Sequence, residues 1–125
     1  MTELKRASQM TFDFEKLSVY QKAREARIAL FSIIEGGKIV DRSIAEQLRR
    51  AVLSILLNIA EGTGKSSKAD KKNFFTIARG STYETVAILD LLCDDNIISR
   101  KEHDNLYSLF EEVSKMLLGL INSLK

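Results

Sequence analysis

Proline is absent from this 125-residue chain, glycine occurs only six times, and no stretch sustains the alternation of β-branched and polar residues that a strand needs. Helices therefore meet few internal breakers, and strands have no foothold. Cysteine occurs once, as Cys93 within "DLLCDDN", so no internal disulfide forms. A lone thiol suits a reducing, cytoplasmic compartment. Histidine also occurs once, as His103, with no second histidine at metal-ligand spacing, and neither a ligand nor a general-base role is expected of it. The acids Asp90, Asp94, Asp95, Glu111 and Glu112 are numerous, but no Glu-x-x-His pair marks a di-iron bundle. They read as a solvated face or as a docking surface for a basic partner. No apolar run reaches the ~18 residues of a membrane span, and residues 1–12 lack the apolar core of a signal peptide. The expectation is a protein without membrane, metal, cofactor or catalytic group.

What is present is charge, unevenly distributed. Residues 1–37 carry six basic and five acidic groups, residues 38–79 carry nine against four, and residues 80–125 carry four against eight. The middle of the chain is thus +5 and the last third −4. A local excess of that kind attracts anions whatever the small net charge of the whole.

Periodicity supplies the fold. Val19, Ala23, Ala26, Leu30 and Ile33 recur at steps of four and three before Gly36-Gly37, and Leu106, Phe110, Val113, Leu117, Leu120 and Leu124 keep the same rhythm near the C-terminus. Ser43 with Glu46, Ser67 with Asp70, and Ser99 with Glu102 each have the spacing of a capping box, in which serine and acid satisfy orphan N–H groups reciprocally. These signals predict helices over 15–35, 43–62, 68–95 and 99–124. Short connections make neighbours antiparallel, so the expected fold is all-α, an up-down-up-down four-helix bundle over residues 13–125 behind a flexible segment at 1–12.

"GTGKSS", residues 62–67, invites comparison with a phosphate-binding P-loop. The G-x-x-x-x-G-K-[ST] pattern needs a glycine five residues before Gly64, and Ile59 stands there. A P-loop also follows a strand, whereas "EQLRRAVLSILLNIAEG" has helical spacing, with Gly62 read as its C-cap. Nucleotide hydrolysis is not expected.

The same second helix is apolar nearly all round, with Val52, Leu53, Ile55, Leu56, Leu57 and Ile59 covering more than one face. A bundle covers one side of each helix, so the surplus predicts contact with another copy, against the alternative of a solitary patch of modest size. Gln47, Arg50, Ser54, Asn58 and Glu61 form a polar stripe along it, read as a hydrogen-bonded network if enclosed. In "ARGSTYET", Ala78, Gly80, Ser81 and Thr82 would admit a close neighbouring backbone, either within the chain or from a second subunit.

Lys68, Lys72, Thr76 and Arg79 share one face of the third helix, with Lys65 and Lys71 beside them and Arg49 or Arg50 at a comparable distance along the antiparallel second helix. Lysines in a first turn oppose the helix dipole, so stability alone does not select them. Together with free N–H groups they form a site for a phosphodiester backbone. The competing reading is a solvated face with partners such as Glu46 four residues before Arg50. No aromatic residue is expected on the outer face of the stripe, Phe74 and Phe75 being assigned to the core, which favours backbone contacts over base stacking.

"FEKLSVYQKA" at 14–23, "QLRRAVLSILLNIAEGTGKSS" at 47–67 and "FFTIARGSTYE" at 74–84 resemble the 23S ribosomal RNA intervening-sequence protein family, over roughly residues 12–124. That family is similar to the accessory variability proteins of diversity-generating retroelements. The resemblance implies a small four-helix protein assembling into a homopentameric ring, binding RNA or DNA, and without enzymatic activity. Its retroelement relatives imply an alternative role as an adaptor that docks a reverse transcriptase.

Overall fold

A computed structural model describes residues 11–125, and five helices account for most of them: α1 (Asp13–Lys16), α2 (Ser18–Glu35), α3 (Arg42–Thr63), α4 (Lys68–Asp94) and α5 (Arg100–Ser123). No strand occurs among the described residues. The flexible segment expected over residues 1–12 lies, for residues 1–10, outside them. Phe12, the last residue of that segment, opens α1 by donating its N–H to Glu15 Oε1 at 3.4 Å. The short α1 turn, which packs on α2 and α3, has no signal in the periodicity.

The four long helices form where an apolar seam can be buried. Val19, Ala23, Ala26, Leu30 and Ile34 are buried on α2, the seam taking Ile34 at its end where Ile33 is only half-buried. Leu106, Phe110, Val113 and Leu117 are completely enclosed on α5. Each of these side chains larger than alanine contributes roughly 1.5–3 kcal/mol by leaving water, more than the ~1 kcal/mol of a typical cap. Burial decides that the helices exist, and caps decide where they begin and end.

Of the three expected capping boxes, that of Ser99 and Glu102 forms in full and that of Ser67 and Asp70 only in its serine half. Ser99 accepts from the Glu102 N–H at 3.0 Å while Glu102 accepts from the Ser99 N–H at 2.9 Å, and Ser67 accepts from the Asp70 N–H at 3.0 Å. The third is corrected: Asp41 caps α3, its carboxylate accepting from Ser43 and Ile44 N–H at 2.9 and 3.3 Å. A carboxylate two residues upstream is the stronger acceptor at the positive end of a helix. Asn96, at φ 60°, ends α4 where glycine is the usual choice. The Ile97 N–H reaches the Leu92 carbonyl and the Asn96 N–H that of Cys93, the paired bonds of a Schellman ending.

Gly62 is also corrected. It lies inside α3, buried, and the helix runs on to Thr63 before Gly64 ends it at φ −80°. A Cβ at position 62 would stand 2.9 Å from Phe75 Cε1 and 3.0 Å from Phe74 Cβ, so this glycine exists for close approach and not for a left-handed turn. Farther along the pair, Ser54 and Ser81 hydroxyls meet at 2.8 Å and Gln47 donates to Glu84 at 2.6 Å. As numbers fall on α3 they rise on α4, so these helices run antiparallel. The polar stripe is therefore partly satisfied: Asn58 donates to the Ser54 carbonyl at 2.8 Å, while Arg50 and Glu61 face solvent.

α4 and α5 are fastened at one end by His103, a residue whose role sequence patterning leaves blank. The ring is 7% exposed, with Nε2 2.6 Å from Asp90 Oδ1 and Nδ1 2.9 Å from Asp104 Oδ1. Two carboxylates can be served at once only by an imidazolium donating from both nitrogens. The hydrogen bond to Asp90, then that to Asp104, raises the pKa of the imidazole above its ordinary value, against the opposing effect of burial. Lys38 similarly ties the α2–α3 connection to α5, its ammonium 2.6 Å from Glu102 Oε2, and holds that carboxyl below its usual range.

Gly62→Ala is expected to destabilise the fold by about 1 kcal/mol, since overpacking of ~1–3 kcal/mol exceeds the ~1 kcal/mol gained in helix propensity. Gly80→Ala and Gly119→Ala, where a Cβ meets nothing within 4 Å, are expected to stabilise by roughly 0.5–1 kcal/mol. Denaturant titration of the three variants checks the opposite signs.

The His103 clamp predicts a pH dependence. Its contribution is fully present below the ordinary histidine value of 6.5 and fades as pH rises through the raised folded-state value. The difference in melting temperature between the parent and His103→Gln is therefore expected to be largest near about pH 6 and to shrink towards about pH 9. A gap that widens with pH would contradict the imidazolium.

Candidate nucleic-acid interface

The basic residues of the middle third divide into two groups once the helices are packed. Lys71 is half-buried and donates from Nζ to the Thr63 carbonyl at 2.8 Å, closing the C-terminal end of α3. Lys65, in the α3–α4 connection, lies with Nζ 5.1 Å from the centre of the Phe74 ring. Both cations serve the turn: one supplies a donor to an orphan carbonyl at the negative end of a helix, the other covers an aromatic face.

Lys68 and Lys72 are exposed, one turn apart on α4, and neither ammonium group has a hydrogen-bonded or ion-paired partner among the described residues. Asp70 shares the first turn and Ser67 occupies its own N–H, so the helix end is partly satisfied and the two ammonium groups are the available charges. Thr76 continues the stripe but bonds back to the Lys72 carbonyl at 2.7 Å.

Arg79 comes next on the same face and is turned towards α5. Its Nε donates to the Ser114 carbonyl at 3.3 Å, its Nη2 donates to the Tyr83 hydroxyl at 3.1 Å, and the guanidinium lies 5.0 Å from the Tyr83 ring centre. Tyr83 is 59% exposed. No aromatic residue interleaves the cations of the stripe and Phe75 is buried as assigned, but Phe74 is only half-buried, under Lys65, and Tyr83, four residues beyond Arg79, continues the outer face. The signal was present in the spacing 79 to 83, one further turn of the same helix.

Arg49 and Arg50 are not brought to this face in the same way. Arg49 lies 5.9 Å from the centre of the Phe31 ring of α2, with Arg27 on the same ring at 4.3 Å, so it belongs to the α2–α3 side. Arg50 is exposed, its guanidinium without a partner among the described residues; it lies between Gln47, which pairs with Glu84, and Ser54, which pairs with Ser81. It therefore stands level with the stretch between those two α4 residues, beyond Arg79. The reason is the length of the connection, for α3 runs on to Thr63 and the crossover centres past Lys65. The Arg27–Phe31–Arg49 stack itself is an association across two helices that periodicity does not display.

Apolar side chains also remain outside. Leu53 and Leu57, one turn apart on α3, are 50% and 55% exposed, whereas Val52, Ile55, Leu56 and Ile59 of the same helix are buried. Among the described residues no group of three or more His, Cys, Asp or Glu side chains could hold a metal ion, and no helix is long and apolar enough to cross a membrane. The stretch "GTGKSS" comprises the last two residues of α3 and the connection to α4, so it follows a helix and not the strand of a P-loop.

The helical fold has a counterpart in a solved structure. A protein of unknown function from the S23 ribosomal protein family of Bacteroides thetaiotaomicron VPI-5482 is similar, with 27% sequence identity, a TM-score of 0.72, and coverage of 82% of this chain and 97% of that one. No curated protein matches the sequence. The family described as 23S rRNA-intervening sequence protein matches residues 15–119, a range that takes in α2, α3, α4 and most of α5. With the match extending over most of its length, the chain belongs to the 23S rRNA-intervening sequence protein family.

Proposed function

We propose that this protein is a non-enzymatic nucleic-acid-binding protein of the cytoplasm, acting through the basic face of α4. In this reading the four long helices form an up-down-up-down bundle, and five such bundles form a ring. The observation that carries the binding function is the pair Lys68 and Lys72, exposed and unneutralised at the head of a helix in the +5 segment of the chain. Lysines act as point charges on flexible stems, giving affinity for a phosphate backbone without reading bases. The description of the family, which names 23S rRNA, supports RNA as the ligand class. Lys65, Lys71 and Arg79 border the pair, with Arg49 and Arg50 as peripheral contributors of long-range field.

The surplus apolar surface at Leu53 and Leu57 supports self-association, because a helix exposed on that side gains from a second cover. The second reading is a protein adaptor, docking a basic partner such as a reverse transcriptase. It is favoured by the exposed acids Asp94, Asp95, Glu111 and Glu112 in the −4 segment.

Light scattering at micromolar concentration is expected to return about five times the 14.1 kDa chain mass, and a monomer mass would refute the ring. Leu53→Glu/Leu57→Glu is expected to lower that mass while leaving the helix content intact.

Binding to labelled RNA is expected to weaken steeply with salt. If two to three phosphates per protomer meet Lys68, Lys72 and a neighbour, the log–log slope is about −2 for a single strand and nearer −3 for a duplex. Lys68→Glu/Lys72→Glu should remove about two units of a duplex slope and at least tenfold in affinity. Lys71→Ala should instead lower stability by about 1 kcal/mol through the lost cap of α3. Binding indifferent to both salt and the double reversal would overturn the α4 site, and absence of binding at low salt would favour the adaptor.

A further inference from the structure

The basic stripe leads into a groove between α4 and α5. Thr82, Val86, Ala87 and Phe110 contribute to its lining, and Tyr83 and Tyr107 stand on its two sides, 59% and 42% exposed. Its volume is about 470 Å³, within the roughly 300–1,000 Å³ of sites that hold small organic groups. Both rings are braced. Arg79 holds Tyr83 by a hydrogen bond to the hydroxyl and a cation over the ring, while Tyr107 lies 5.6 Å from the ring of His103, which is itself clamped by Asp90 and Asp104. An aromatic surface that is exposed yet fixed in orientation loses little entropy when a flat ligand settles on it.

We propose that this groove receives an unstacked base of a single-stranded nucleic acid, with Tyr83 and Tyr107 as stacking platforms and the strand's phosphates passing along Lys72 and Lys68. The inference rests on the reading of α4 as a phosphate-binding face and adds which nucleic-acid form it selects. Positions 68, 72, 76, 79 and 83 fall within one narrow face of α4, so the cations and the first ring follow one track. The groove's carboxylates do not repel the strand as free charges, because Asp90 is paired with His103 and Glu111 lies 3.7 Å from Lys115. A duplex keeps its bases stacked inward and cannot place one between two side chains of a concave groove, whereas a single strand or loop can. An amphipathic peptide would suit the tyrosines but would gain nothing from the lysine track.

The chain has no tryptophan and three tyrosines, so intrinsic fluorescence reports directly on Tyr83 and Tyr107 with only Tyr20 as background. The full-length protein is titrated with a single-stranded RNA, an abasic strand of the same length, and a duplex. The expected result is tyrosine quenching by the base-bearing strand alone, and on the order of tenfold tighter binding of that strand than of the abasic one. Tyr83→Leu should abolish this preference without altering the salt slope, and Tyr83→Phe should retain it. Equal affinity for base-bearing and abasic strands would overturn the groove while leaving the lysine track standing. Loss of all binding in Lys68→Glu/Lys72→Glu, with the preference intact in the parent, supports both. Preference that persists undiminished in that double reversal would remove the lysine track and keep the groove. A change of oligomeric mass in Tyr83→Leu, with binding unaffected, would overturn the proposal in favour of a subunit contact.

Discussion

The close approach of α3 and α4 is the constraint on which the rest of the molecule depends. It is possible because Gly62 presents no side chain to Phe74 and Phe75, and because a pair of serines, Ser54 and Ser81, meets farther along. Interiors are packed as densely as organic crystals, so such a contact has one register and not several. That register sets the crossover after Thr63, brings the Lys71 ammonium onto the Thr63 carbonyl, and leaves the Lys68 and Lys72 ammonium groups exposed, with no partner among the described residues. The charge available to a ligand is thus a by-product of how two helix backbones fit.

The distribution of partners among the cations follows the same logic. A lysine or arginine near a helix C-terminus or an aromatic face is retained by the fold, as Lys71, Lys65 and Arg49 are. Lys68 and Lys72, on the outer face of α4, are exposed and their ammonium groups have no partner among the described residues. The seven residues singled out in the sequence therefore do not form one uniform patch; they comprise a solvated pair on α4, a bridging arginine aimed at α5, two lysines engaged in the turn, and two arginines on α3. On α5 the acids are treated likewise, Asp104 being drawn into the His103 clamp while Glu112 remains in solvent.

Much of the fold was legible. Three of the four long helices lie within a residue of the ranges expected from periodicity, α2 begins three residues late because the helix breaks at Leu17, and the Ser67 and Ser99 caps act at the positions their spacing indicated. What misled was local ambiguity. Ser43-x-x-Glu46 has the form of a capping box, but Asp41 is a stronger acceptor two residues earlier, and a glycine near a helix end reads as a stop whether it turns the chain or admits a neighbour. His103 looked idle because its partner Asp90 stands thirteen residues away on another helix. Tyr83 stands one turn beyond the last cation of the stripe, where the charge pattern has already ended.

Sequence alone determined which segments are helical, which faces are apolar, and that positive charge concentrates between residues 38 and 79. These are properties of periodicity and composition, carried by residues a few positions apart. Tertiary structure decided which charges remain free, which glycine is a contact and which is idle, and where a clamped histidine and two braced tyrosines flank a groove between α4 and α5. Those outcomes depend on the register between helices, and a register is set by side chains dozens of residues apart meeting within a few ångströms, a relation that no local pattern contains.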